Sequence, residues 1–538
     1  MGTRTIKKIF VSLLVLLSAN LVMAEEYYVR VDGKDNNSGL QNSSVGAWQS
    51  IQHAVNNAAP GDTIFVQSGF YDEVVEITSQ GTDGFPITLV GEGDVYVNAI
   101  QFPGSSEFNR ILDYHFLLDN LIFDGDFGSE DYGVYVRGVR NVTIRNSEFK
   151  DYRGEWVEYP WGTFYTDRVG LRFQGNAWNS TTYLTIESST FTNNDIGMTG
   201  QMLQNSLIAN CLFSGNTYGF AAQNWGTRYT TFARNTFDGN EKGIYLAGVY
   251  WYFLKTHHNT VYRSTFSNNE VGVFIGDNGA TEYGAASYAH TVVNSNFYLN
   301  SDAGIVVNTN FQGVNDSQGP AWFDAQGQTF TNNIFMANGS YGLDNRVNQT
   351  VFPSYNLGFA NGIAPSNNAV FDATNFSLLA DPLFVSPNDG NFNLGTGSPA
   401  IDAGNPDYNE DADVFDGFID IGAIEAMGTP GMIVTSLIEE TSDIPGSFLN
   451  NENNSLPLSK KLYVALRMIA KGDDEPDPDK AANYYFSAEQ KLSQDILPKT
   501  DGCAMSGVPD NNDWITECST QADFYDPIVA AIDMLQGM

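Results

Sequence analysis

A short phrase recurs through the middle of this chain: Phe, two residues, Asn, two residues, Gly. It reads Phe191/Asn194/Gly197, Phe213/Asn216/Gly219, Phe237/Asn240/Gly243 and Phe266/Asn269/Gly272. With one residue inserted it continues as Phe297/Asn300/Gly304 and Phe335/Asn338/Gly342. Successive Phe positions lie 22, 24, 29, 31 and 38 residues apart. A repeat of this period means stacked units, each unable to bury its apolar face alone.

Most of the repeated Gly residues are followed by an alternating strand: Phe220-Ala221-Ala222-Gln223, Ile244-Tyr245-Leu246-Ala247, Val273-Phe274-Ile275-Gly276 and Ile305-Val306-Val307-Asn308, with Leu171-Arg172-Phe173-Gln174 after Gly170. The first and third positions should point inward and the second and fourth outward, because successive strand side chains alternate. Stacked coils make the sheets parallel, placing Phe on Phe and Asn on Asn. The expected fold is all-β, a parallel β-helix solenoid with a small C-terminal α-helical module. The Asn ladder should be structural, since Asn side chains at turns exchange hydrogen bonds with backbone.

Three regions are expected. Residues 1–24 read as a signal peptide: Arg4, Lys7 and Lys8 precede the apolar run Ile9 to Leu17, and Val22-Met23-Ala24 fits a cleavage site. The run is shorter than the ~20 residues needed to span a bilayer, so a secreted, periplasmic or cell-surface protein without a membrane span is expected. Residues 25–426 should form the solenoid, its open end plugged by an amphipathic helix at 47–58 carrying Ile51, Ala54 and Val55. Residues 427–538 should be helical, with Leu458, Leu462, Leu466 and Ile469 on one face. Cys503 and Cys518 are placed to form a disulfide there, and Cys211 should be a buried thiol.

The net charge is −37, and losing the three basic residues of the leader makes it −40. Such a chain is not built for nucleic acid, whose phosphates need basic patches. A polyanionic substrate would have to meet a local basic cluster. Asp411, Asp413 and Asp416 precede Gly417 and could offer oxygens to calcium, although their spacing is not that of an EF-hand.

Residues 27–72 resemble the start of secreted bacterial right-handed parallel β-helix proteins of the pectate-lyase-like superfamily. The matching elements are Tyr27-Tyr28-Val29, Asp35-Asn36-Asn37-Ser38-Gly39, Ile51-Gln52-x-Ala54 and Pro60-Gly61-Asp62-Thr63-Ile64 before Gly69-Phe70-Tyr71. The stretch Ser398 to Glu425 is similar to the closing motif of many such proteins. The resemblance implies the fold over 27–425 and a polysaccharide-active family of lyases, glycoside hydrolases and epimerases. Its lyases use a Lys, Arg or His base, often beside calcium. No complete catalytic motif of any one member matches.

The growing period points to the working surface. The extra residues fall at one junction, after the outward strand: Asn224 to Tyr229, Val249 to His258, Asp277 to His290 and Asn310 to Gly327. Insertions at one junction of a solenoid stack on one face, often the binding face. They are rich in Trp and Tyr together with Arg, Lys and His, groups that stack on sugar rings and pair with carboxylates. The chain has five His, and two are adjacent here. The expected catalytic set is Lys255 or His258 as base, Arg228 or Arg172 as neutraliser and Tyr250 or Tyr245 as proton donor. Trp225, Tyr229, Tyr245, Trp251, His257, Arg172, Gln174, Trp161 and Trp322 are the expected substrate contacts. The expected partner is an acidic polysaccharide cleaved by β-elimination, by a monomer. A glycoside hydrolase would use two carboxylates, with Asp126, Asp277, Glu282 and Asp324 as candidates. A non-catalytic sugar-binding surface protein is the third reading.

Overall fold

In the computed structural model the described residues are 24–105, 110–159, 162–175, 182–222, 226–247, 256–276, 287–308, 327–346, 351–395, 397–408, 419–425, 430–441, 444–451, 454–473, 475–509 and 512–536. Three columns of parallel strands build the solenoid. The first runs through 132–137, 169–174, 196–201, 218–221, 242–246, 271–276, 303–308, 341–345 and 364–367. The second runs through 139–145, 184–187, 207–209, 231–233, 260–262, 291–293, 328–331 and 351–354. The third carries the repeated Phe, from 122–124 and 148–150 to 334–336 and 357–359.

Why these residues make a coil is visible at each rung. Phe123, Phe149, Phe191, Phe213, Phe237, Phe266, Phe297 and Phe335 stack face to face, with centroids 4.6 to 5.1 Å apart. Each pair adds about 0.5–1.5 kcal/mol beyond area burial. The Gly of the phrase lets the next strand approach this stack. A Cβ on Gly243 would lie 2.6 Å from Gly272 O and 2.9 Å from the Phe266 ring. The Asn residues form the expected ladder. Asn240 Oδ1 accepts from the Asn216 backbone N–H and Nδ2, and Asn240 Nδ2 donates to Phe213 O and Asn269 Oδ1. The same pattern runs from Asn194 to Asn361.

Each coil turns three corners, and each turn places one residue in the left-handed region. The third corner, just before the ladder Asn, uses Asn193, Gly215, Gly239, Asn268, Leu299, Ala337 and Ala360. The second uses Asn146, Ser188, Asn210, Arg234, Arg263, Asn294, Asn332 and Tyr355. The first, entering the second strand column, uses His115, Asn141, Tyr183, Asn205, Tyr229, His258, Ala289 and Gly327.

Both ends of the core are stoppered. At the start, the helix Ile51–Asn57 buries Ile51, Ala54 and Val55, as expected. At the far end, Ala369 and Phe371 pack against the core, with Phe371 edge-on to Phe335. The chain then returns along the wall. Asn405 N donates to Asn332 Oδ1 (2.7 Å), Gly422 N to Asn332 O (2.8 Å) and Ala423 N to Asn296 Oδ1 (3.1 Å). Glu425 meets Arg263 at 3.0 Å, both side chains buried.

Beyond it, helices at Pro430–Glu440, Ser455–Asp473, Pro478–Lys491 and Cys518–Gln536 share their own core, which includes Leu458, Leu462 and Ile469. The Cys503–Cys518 disulfide is formed, and Cys211 is buried with its thiol pKa pushed up to about 12 by desolvation. No helix among the described residues is long and apolar enough to cross a membrane.

Candidate functional site at the first corner

The insertions deliver the chain to the first corner. Here residues 227–229, 256–258 and 287–289 lie one rung apart. Arg228 bridges Gln204 on one side and His257 on the other, and His257 is the register partner of Tyr288. Tyr229 N donates to His257 O (3.3 Å), and His258 N donates to Tyr288 O (3.2 Å). Two adjacent columns result: Gln204, Arg228, His257 and Tyr288, beside Asn205, Tyr229, His258 and Ala289.

The side chains converge. His257 Nδ1 and His258 Nδ1 are 2.8 Å apart, so a single proton lies between them. The Tyr229 ring stacks on His258 (centroids 5.1 Å) and meets His257 edge-on (5.3 Å). Tyr288 stacks on the other face of the pair, 5.0 Å from His257. Burial lowers the pKa of Arg228 and raises that of Tyr288, whose next contributor is the Tyr229 phenol. Arg228 remains a cation at any working pH, and Tyr288 remains a protonated phenol. Tyr229 and His258 are exposed, while Arg228, His257 and Tyr288 are half-buried.

Beneath this surface, His290 does a different job. Its Nδ1 accepts from the Asn259 backbone N–H (3.3 Å), and its own N–H donates to Gln328 Oε1 (2.9 Å). It therefore replaces an amide in a ladder running from Thr230 through Asn259 to Gln328. With Nδ1 accepting, the ring proton sits on Nε2 and faces Ser287 Oγ at 2.9 Å. Complete burial, reinforced by His257 and His258, pushes its pKa down to about 3.

Other expected residues are placed elsewhere. Arg172 and Gln174 lie on the first strand column, in register with Thr199 and Gln201. The Arg172 guanidinium is 5.6 Å from the Tyr132 ring centroid, and Gln174 accepts from Tyr135 OH. Tyr245 faces outward by register but is only 8% exposed. The outward row Ala221, Tyr245, Phe274, Val306 is apolar, and with Val169, Ile196, Val271 and Ala303 it forms a second buried layer. Tyr245 lies between Tyr218 and Phe274 in that layer. Lys255, Tyr250, Trp225, Trp251, Trp161, Trp322, Asp277, Glu282, Asp324 and the calcium candidates Asp411, Asp413 and Asp416 lie outside the described residues.

One acidic group is found that the sequence did not single out as a set. Oxygens of Asp124, Asp126 and Asp151 all lie within 4.8 Å of one another. That span suits the shell of a calcium ion. Lys150 already stands 3.8 Å from Asp124, and Asn193 donates to Asp151. The group is also tighter than the ~5–5.5 Å carboxyl separation of a retaining glycosidase.

Residues 98–315 match the family model of a right handed beta helix region. The chain folds as a parallel β-helix, and over those residues it is similar to right handed beta helix proteins. It is 30% identical over 149 residues to pectate lyase PEL9 of Emericella nidulans, covering 23% of this chain and 34% of that protein. It is 28% identical over 134 residues to the uncharacterized protein YwoF of Bacillus subtilis, covering 23% of this chain and 28% of that one. The match thus spans about a third of the length of these curated relatives. Among solved structures, pectate lyase Pel9A aligns with a TM-score of 0.44 at 16% identity, over 76% of this chain and 98% of that one. An alginate lyase from Paenibacillus sp. aligns with a TM-score of 0.36 at 14% identity, over 59% of this chain and 95% of that one.

Proposed function

We propose that this protein is a secreted lyase that cleaves an acidic, uronate-containing polysaccharide by β-elimination. The observation that carries the reading is the first-corner cluster, where a histidine pair, a guanidinium and two phenols meet on one outer surface. The sequence likeness to a pectate lyase over 149 residues accords with it.

Each chemical requirement has a candidate group. Arg228 pairs with the uronate carboxylate, and that charge neutralisation makes the neighbouring C–H more acidic. His258 donates its Nδ1 proton to His257 Nδ1, which leaves the His258 Nε2 lone pair as general base. His258 removes the proton next to the carboxylate, a carbon–carbon double bond forms, and the bond to the leaving glycosidic oxygen breaks. Tyr288 supplies the proton that oxygen takes up. The imidazolium formed on His258 is held by His257 and by the face of Tyr229. Lys255, in the same insertion, remains a second candidate for the base. Calcium, where bound by Asp124, Asp126 and Asp151, would add positive charge at the third corner.

The test is a panel of uronate polysaccharides incubated with and without calcium, following absorbance near ~235 nm from the unsaturated product of β-elimination. Rising absorbance is expected. New reducing ends without absorbance would replace the lyase by a hydrolase, and binding without either would make the protein a sugar-binding surface protein.

A further inference from the structure

One helix of the C-terminal module turns outward a face that the module's core does not use. Helix Ser455–Asp473 buries Leu458, Leu462, Ala465 and Ile469 in that core. On its opposite side Leu456, Lys460, Tyr463, Val464, Arg467 and Lys471 are all exposed. At 3.6 residues per turn these six positions fall within an arc of roughly 100°. Three are large and apolar: Leu456 is 60% exposed, Tyr463 53% and Val464 41%. The other three are cations. Asp473, the one acid of this helix, lies off the arc and accepts from Tyr485 OH (2.9 Å).

The stripe is out of character with the chain. Acids outnumber bases 63 to 26, so solubility does not call for cations here. Other cations of the module are engaged. Lys461 and Lys491 both meet Asp495, Lys480 meets Asp477, and Lys499 donates to Asn512. The side chains of Lys460 and Arg467 have no ion-pair or hydrogen-bond partner among the described residues. Lys471 Nζ lies 5.7 Å from the centroid of the Tyr484 ring.

We propose that this stripe docks the protein on an anionic lipid surface, with the helix lying in the interface plane. The mixture of groups selects the partner. Lys460, Arg467 and Lys471 meet headgroup phosphates, each contributing about fivefold to partitioning. Leu456, Tyr463 and Val464 enter the acyl boundary between those headgroups, as the apolar side of an interfacial helix does. A dissolved acidic polysaccharide would satisfy the cations and leave Leu456 and Val464 in water, whereas a lipid surface satisfies both. From Leu456 to Lys471 the stripe runs about 22 Å. The acidic remainder of the chain is repelled by the same surface. That repulsion is screened beyond about 8 Å at physiological ionic strength, so the groups on the contact face decide the outcome.

The experiment is co-sedimentation of the protein with vesicles of phosphatidylcholine, alone or with about one-third phosphatidylglycerol. Retardation in gels containing polygalacturonate is followed in parallel. Sedimentation with the anionic vesicles alone is expected, weakened at least about tenfold in molar salt. Reversing two cations together, Lys460→Glu with Arg467→Glu, should lower partitioning about 100-fold or more. Lys460→Gln with Arg467→Gln, the milder pair should the reversal disturb folding, should lower it about 20-fold. Leu456→Ser should lower it about tenfold. Lys480→Gln, a cation off the stripe, should change little. These positions are exposed, so the thermal midpoint should hold, and cleavage of uronate polymer should be unaffected. The vesicle readout does not depend on cleavage, so failure of the lyase reading leaves this proposal standing. No sedimentation with anionic vesicles, equal sedimentation with neutral ones, or undiminished binding by either double variant would overturn it. Retardation by polygalacturonate that the double variants lose, without vesicle binding, would overturn it in favour of a polymer-binding module.

Discussion

Two corners of the same coil face the same backbone demand and meet it in opposite ways. At the third corner the left-handed position is held mostly by Asn, Gly and Ala, and the next residue is a ladder Asn buried behind the Phe stack. At the first corner the same position is held by Tyr183, Tyr229 and His258 as well as by Asn141, Asn205 and Ala289, and the ladder beneath admits an imidazole, His290. The third corner is chosen for the coil. The first keeps the coil but accepts strained, exposed rings, which is the pattern expected where binding competes with stability. The difference teaches that in a repeat protein the functional face shows itself by departing from the residue that suits the turn.

The comparison breaks most readily at the first corner's surface. His258→Ala should lower turnover of the cleaved uronate polymer by about 10²–10⁴-fold, the usual contribution of a general base, with the thermal midpoint unmoved. Loss of folding in place of loss of rate would make the corner structural like the third.

Next comes acid stability. His290 is neutral in the folded protein, with a pKa of about 3 against 6.5 for the free side chain. A depressed pKa means that its stability contribution is complete above about 6.5 and is lost as pH falls toward 3, by up to about 4 kcal/mol. Denaturant midpoints at neutral and at acid pH should therefore lie closer together in His290→Asn, which keeps an acceptor without a titrating ring, than in the unsubstituted protein. Equal acid sensitivity in the two proteins would remove His290 from the ladder.

A third measurement sharpens the other side. Asn240→Ala deletes an acceptor and a donor in the buried ladder and should cost about 2–4 kcal/mol by urea unfolding. Its specific activity per folded molecule should be unchanged. The smallest effects are a mirrored pair. A Cβ on Gly239 meets nothing within 4 Å at φ +66°, so Gly239→Ala reports the backbone term alone, about 1 kcal/mol of destabilisation. Tyr229→Gly should leave stability equal or raise it by up to about 1 kcal/mol while weakening sugar binding. Destabilisation by Tyr229→Gly would mean that its ring serves the coil.

Much of the coil was legible because each rung needs both a stacking ring and an amide at fixed spacing. The phrase began one or two coils late. Phe123 and Phe149 belong to the stack, but Tyr152 stands where the Asn would be, and only its backbone N–H joins the ladder, through Asn194 Oδ1. The histidine pair was found by rarity. Tyr288 was read only as part of an insertion, because its approach to His257 depends on register across 31 residues. Tyr183 and Asn205 gave no signal, since a left-handed corner has no sequence motif when Gly is absent from it. Tyr245 is outward in the alternation, which its register supports, but an outward row that is apolar from Ala221 to Val306 forms a second layer, and alternation alone does not reveal that.

The return segment alters how such a stack comes apart. Repeat arrays lose terminal units one at a time, because each touches only its neighbours. Here Asn405, Ala423 and Glu425 pin Asn332, Asn296 and Arg263 in turn, the last contact joining residues 162 apart in sequence. Peeling the last coil therefore requires releasing contacts to the earlier ones as well. The strap gives a linear array a cooperative end.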